Sequence, residues 1–99
     1  MLSDRITKAD KLRSELHSRA IEFWESIIER NVLEAFENGN YSCEIRFDDD
    51  FNKMAKTSKI DPFDINGKVI FPAEISKQLY ELNYFVSISD DSLFISWHK

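Results

Sequence analysis

The most legible pattern in this chain is a change of hydrophobic period near its C-terminal end. Ile75, Leu79 and Leu82 recur at i, i+4 and i+7, while Ser76, Lys77, Gln78 and Glu81 fall between them, so the spacing predicts an amphipathic helix over about 72–82. Pro72 suits its first turn, and Glu74 falls where the helix dipole is positive. Asn83 is the expected terminator, because Asn tolerates a positive φ better than any residue but Gly. From there the period becomes 2: Tyr84, Val86 and Ile88 share one face, and Leu93, Ile95 and Trp97 form a matching set. A tight loop at Asp90-Asp91, or a wider one over 89–92, pairs Ile88 with Leu93, Val86 with Ile95 and Tyr84 with Trp97. A slip of one residue would send half of these groups to solvent, so the hairpin register is well specified.

The N-terminal third reads as one long helix. No Pro or Gly interrupts 3–37, Ser3 or Asp4 can cap its start, and Asn38-Gly39-Asn40 ends it with Gly39 in the left-handed position. At ~1.5 Å per residue such a helix spans about 50 Å, whereas a compact domain of this size has a radius of gyration near 13 Å. The helix therefore either breaks, near Ser14 or Ser18, or overhangs the body along 1–19. Its apolar residues form two adjoining stripes, Leu12, Leu16, Ala20, Phe23 and Ile27 beside Ile21, Trp24, Ile28 and Ala35. That arc is wider than a single small sheet needs. It serves either as one broad core face or as a surface for self-association, with Leu12, Leu16, Ala20, Trp24 and Ile28 as the expected contact residues.

Between these parts, Tyr41, Cys43, Ile45 and Phe47 alternate with Ser42, Glu44 and Arg46, which predicts a strand with one wet face. Asp48-Asp49-Asp50 lacks the mid-loop Gly and distal Glu of an EF-hand, so Asp49 or Asp50 is read as the cap of a short helix through about Ala55. Asp61-Pro62 breaks any helix, and Asn66-Gly67 marks a turn that makes either a hairpin or a simple bend.

Composition narrows the chemistry. The 99 residues include one Cys, two Gly and two Pro, enough for a single globular domain, with no internal disulfide and no phosphate-binding Gly loop. No apolar run approaches ~20 residues, so no membrane span is expected, and the N-terminus lacks the apolar core of a secretion signal, which points to the cytoplasm. Net charge is −5, distributed unevenly: five basic against three acidic residues leave +2 on 1–19 and hence −7 on the remainder. Such an acidic body opposes direct nucleic-acid binding. His17 and His98 have no ligand partners at zinc-type spacing, and no nucleophile–base constellation is visible. Neither metal nor cofactor is expected, and the chain is not read as an enzyme.

The segment VIFPAEISKQLYELNYFVSISDDSLFISW, through Pro72, Glu74, Ile75, Leu79, Tyr84, Val86, Ile95 and Trp97, resembles a pattern found in small uncharacterised phage and prophage proteins. In these a long charged helix is followed by a strand, a helix and a hairpin closing on Ile-x-Trp. Asn83 stands where that pattern has Gly, and Phe85 follows Tyr84 directly. The resemblance implies an accessory protein of virion or host-takeover type, acting in the host cytoplasm.

The expectation is an α+β fold: a long N-terminal helix and a second helix on one face of a three-stranded antiparallel sheet. The expected core is Phe23, Trp24, Ile27, Ile28, Phe36, Cys43, Ile45, Leu79, Leu82, Val86, Ile88, Ile95 and Trp97. The leading functional reading is a non-catalytic interaction protein that self-associates, a dimer first, through the long helix, with a host protein as a further partner. A second reading is a nucleotide-sequestering oligomer with Arg13, Arg19 and Trp24 at the site. A third is an acidic decoy for a nucleic-acid-binding host protein.

Overall fold

A computed structural model describes residues 9–98, and it is α+β with the expected order of elements. Helix α1 (Ala9–Glu37) is continuous through Ser14 and Ser18. The proposed caps Ser3 and Asp4 lie outside the described residues. At its C-terminal end Gly39 adopts φ +78°, and the Asn40 amide donates to the Ala35 carbonyl at 2.9 Å, so the last carbonyls are satisfied as a left-handed cap requires. Strand β1 (Ser42–Arg46) follows, then helix α2 (Asp49–Thr57), helix α3 (Ala73–Glu81), and the hairpin of β2 (Phe85–Ile88) and β3 (Ser92–Ser96).

The cap of α2 is Asp48, not Asp49 or Asp50. Its carboxylate accepts from the Phe51 amide at 3.1 Å, the side-chain bond that satisfies an orphan donor of the first turn. Pro72 occupies the N-cap of α3 with extended ψ, and Asn83 takes φ 68° just past its end. The 61–71 connector is a bend held by one bridge, Phe63 to Val69, with the Asp64 carboxylate accepting from the Asn66 and Lys68 amides and Gly67 at φ +78°.

The sheet is antiparallel with strand order β1-β3-β2, so the last strand in sequence is central. Ile88 faces Leu93 and Val86 faces Ile95, the register expected from the alternation, and the Tyr84 and Trp97 rings meet edge to face beyond the ladder. On the other side of β3, Cys43 pairs with Ile95 and Ile45 with Leu93. The helices α1 and α3 pack on the apolar face of this sheet.

Trp24 is wholly enclosed. Around its indole stand Phe23 from α1, Phe47 after β1, Phe51 from α2 and Phe71 before α3, with ring centroids 5.0–6.2 Å away. The breadth of the α1 arc thus has an internal explanation. Phe23 and Ile27 face α2, while Ile28 faces α3 beside Ile75 and Leu79.

Three expected core residues are exposed instead: Phe36, Leu82 and Ile88. Phe36 lies in the last turn of α1, Leu82 is the C-cap of α3, and Ile88 ends an edge strand with no neighbouring strand beyond it among the described residues. Cys43, Val86 and Trp97 are half-buried, whereas Phe51, Ile75 and Leu93 belong to the innermost core.

Two stability predictions follow from this packing. Ile95→Ala, at a fully buried position on the central strand, is expected to cost about 2–5 kcal/mol, read as a lower urea midpoint at unchanged slope. The Asn52 Oδ1 atom is buried with no hydrogen-bond partner among the described residues. Since such an orphan costs about 1–3 kcal/mol, Asn52→Leu is expected to raise the midpoint.

Candidate functional site

The N-terminal turns of α1 carry Leu12 and Leu16, one turn apart and 46% and 50% exposed. The body first reaches α1 around Leu16. Leu16 and Ala20 flank a shallow recess closed by Lys56, Lys59 and Ile60, and the Arg19 guanidinium donates to the Lys59 carbonyl at 3.4 Å. His17 Nε2 hydrogen-bonds the Glu74 carboxylate, which pins α3 to the same stretch of α1. The overhang is accordingly shorter than 1–19 and, among the described residues, comprises the turns before Leu16.

This geometry divides the five residues expected at a self-association surface. Leu12 and Leu16 are exposed, and Ala20 is partly so. Trp24 and Ile28 are buried in the chain's own core and offer nothing to a second copy, which corrects that part of the expectation. The proposed nucleotide-binding set does not converge either. Arg13 pairs with Asp10 on its own helix, Arg19 leans on the Lys59 carbonyl, and Trp24 has no accessible surface.

Little titratable chemistry is assembled. Burial pushes the half-buried Cys43 thiol up, so it stays protonated and unreactive at neutral pH. Among the described residues no three His, Cys, Asp or Glu side chains converge as metal ligands, and no helix is long and apolar enough to cross a membrane. Glu74 is the perturbed carboxylate. The hydrogen bond from His17, helped by its own backbone amide and the histidine's charge, holds it below the usual glutamate range.

Two further recesses are open and largely apolar. One of about 290 Å³ lies between α1 and α3, floored by Ile28, Val32, Ile75 and Leu79, with Leu33 and Leu82 exposed on its walls and Glu25 and Glu29 on its rim. Another, of about 830 Å³, runs along the outer side of β2 between Tyr80 of α3 and Ile88.

That second recess adjoins an open strand edge. The Ser89 amide donates to the Ser92 carbonyl at 2.9 Å, so stepping by two makes Ser87/Phe94 and Phe85/Ser96 the hydrogen-bonded pairs of the β2–β3 ladder. The amides and carbonyls of Val86 and Ile88 therefore point away from the sheet. The same reasoning for β1, from the Trp97 amide on the Tyr41 carbonyl, turns Ser42, Glu44 and Arg46 outward. The β1 edge carries an ion pair, Arg46 Nε to Glu44 Oε1 at 3.0 Å, whereas β2 has no charge and no proline.

Comparison with models of protein families, with curated proteins and with solved structures finds no match to this chain. What the site can do therefore rests on its own geometry. It offers apolar contact surface and unpaired backbone, with no assembled reaction centre among the described residues. In the sequence the open edge is marked only by the absence of charge: YFVSIS is uncharged over 84–89, whereas 42–46 is not.

The pairing of α1 with α3 has a measurable signature. Because Glu74 is lowered in the folded state, the pairing contributes stability above the ordinary glutamate range, and this is lost as pH falls through the folded-state value. A carbon-detected NMR titration of the Glu74 carboxyl should give a midpoint below that of a free glutamate. In His17→Ala that midpoint should move up toward the ordinary value.

Proposed function

We propose that this chain is a non-catalytic interaction protein that associates with itself, as a dimer, through the N-terminal turns of α1. The observation that carries this reading is the pair Leu12 and Leu16, half-exposed on a helix that runs past the body it is attached to. Covering a leucine removes roughly 1.5–3 kcal/mol of unfavourable hydration when the burial is complete, and half-exposed side chains retain about half of that to gain.

Charge favours an antiparallel arrangement of two such helices. The early part of α1 carries Lys11, Arg13 and Arg19, and its later part carries Glu25, Glu29 and Glu34. Two-fold pairing sets the first group of one copy near the second group of the other. Each such exposed pair contributes about 0–1 kcal/mol, so charge selects the direction while the leucines supply the attraction. The recess between α1 and α3, with Glu25 and Glu29 at its rim, is the adjoining surface on the partner. The likeness of 69–97 to phage and prophage proteins makes an accessory role in an infected cell the proposed biological setting.

Light scattering at micromolar concentration tests this directly. The expected mass is twice the 11.7 kDa of one chain, falling to a single chain in the Leu12→Glu, Leu16→Glu double variant with helix content retained. A wild-type mass of 11.7 kDa over the same concentrations overturns the proposal.

A further inference from the structure

We propose that the open edge of β2 is a docking site for an extended strand from a partner protein, with an alternating apolar core and lysine or arginine at its ends. This site is separate from the α1 contact and does not require self-association.

The backbone supplies the attraction. Val86 and Ile88 each present an outward amide and carbonyl, and among the described residues no strand pairs with them. An added strand satisfies all four groups at once, the mode by which extended peptides extend an existing sheet. Natural edges that must stay unpaired carry charge, proline or a bulge, and β1 follows that rule with Glu44 and Arg46. β2 does not follow it. Its residues are Phe, Val, Ser and Ile, with Phe85 63% exposed.

Side chains supply the selection. The adjoining groove, with Phe71 at its base, Tyr80 on the α3 side and Val86 and Ile88 on the strand side, accepts every second side chain of an incoming strand. Its one charged lining residue is Glu81. At the opposite end of β2 the turn carries Asp90 and Asp91. The edge is therefore neutral along its length and acidic at both ends, which matches a partner that is apolar in its middle and basic at its ends. The same charges disfavour a second copy of this chain. Antiparallel two-fold pairing of β2 with itself would set Asp90 and Asp91 of one copy toward Glu81 of the other, acid against acid.

The probe is a labelled peptide in which valine and threonine alternate between paired terminal lysines, read by fluorescence anisotropy against the full chain. Saturable binding is expected, weakening as salt is raised. A version with glutamates in place of the lysines should bind about fivefold to tenfold more weakly. Ile88→Pro removes one outward amide without breaking the β2–β3 ladder and should reduce binding at least about tenfold. Should that variant lose its native near-UV spectrum, N-methylation of alternate peptide amides makes the same test without touching the protein, and it should also abolish binding. The Leu12→Glu, Leu16→Glu variant should bind as wild type does, which separates failure here from failure of self-association. Equal affinity for the lysine and glutamate peptides overturns the proposal. So does undiminished binding of the N-methylated peptide, or a wild-type oligomer that Ile88→Pro alone dissociates, which would assign the edge to a second copy.

Discussion

The enclosure of Trp24 is the contact on which the rest of this small domain depends. Its ring is surrounded by phenylalanines from four different parts of the chain: α1 itself, the end of β1, the first turns of α2 and the approach to α3. Edge-to-face aromatic pairs contribute about 0.5–1.5 kcal/mol each beyond their buried area. The larger consequence is topological. The long helix, the short helix and the irregular 61–71 connector are held at one point, so the sheet has to cover only what that cluster leaves open. Phe47 and Phe51 also bracket the Asp48 cap, so the start of α2 is fixed both by a hydrogen bond and by packing on either side of it.

This arrangement explains which features were legible in the sequence. The hairpin register was, because Leu93 and Ile95 are buried on the central strand and alternation has only one way to place them. The ends of α1 and α3 were also legible, because Gly39 and Asn83 occur where a positive φ is needed and few residues supply one. The position of Asp48 was missed because three successive aspartates are equal candidates for a cap until the packing of Phe51 chooses among them. Phe36 was misplaced because it lies off both apolar stripes of α1, on the side turned away from the core. Leu82 and Ile88 were misplaced for a common reason: each belongs to the apolar stripe or face of its element, yet each lies at an end or an edge that no neighbouring described element covers. Periodicity reports which direction a side chain points and carries no information on how far the opposing element extends.

The same limit applies to the surface of α1. An arc of nearly half the circumference was compatible with one wide core or with two neighbours, one of them outside the chain. In the structure α2 and α3 take up its two flanks, and Trp24 and Ile28 go inward. What remains for an external neighbour is smaller and sits farther toward the N-terminus, at Leu12 and Leu16. The charge asymmetry along α1 is independent of the arc: basic residues fall early on the helix and acidic ones later, and α1 is continuous through both groups.

The two edges of the sheet set a sharper constraint on function than any single residue. A three-stranded sheet must have two open edges, and the chain treats them differently. On β1 the outward-bonding positions include Glu44 and Arg46, whose side chains bond each other, so an approaching strand would have to desolvate a paired charge. On β2 the outward-bonding positions are Val86 and Ile88, and the side chains between and beside them are Phe85 and Ser87. Were general solubility the only demand on this surface, one lysine at 87 or 85, or a proline at 88, would meet it at little cost, since the first two side chains point away from the helices and the Ile88 amide points away from β3. Their absence leaves the charges at Glu81, Asp90 and Asp91 to guard the edge. A guard of one sign rejects acidic surfaces, including the chain's own, and admits basic ones. The selectivity of this edge thus lies in the charges at its ends, while the affinity comes from the backbone between them.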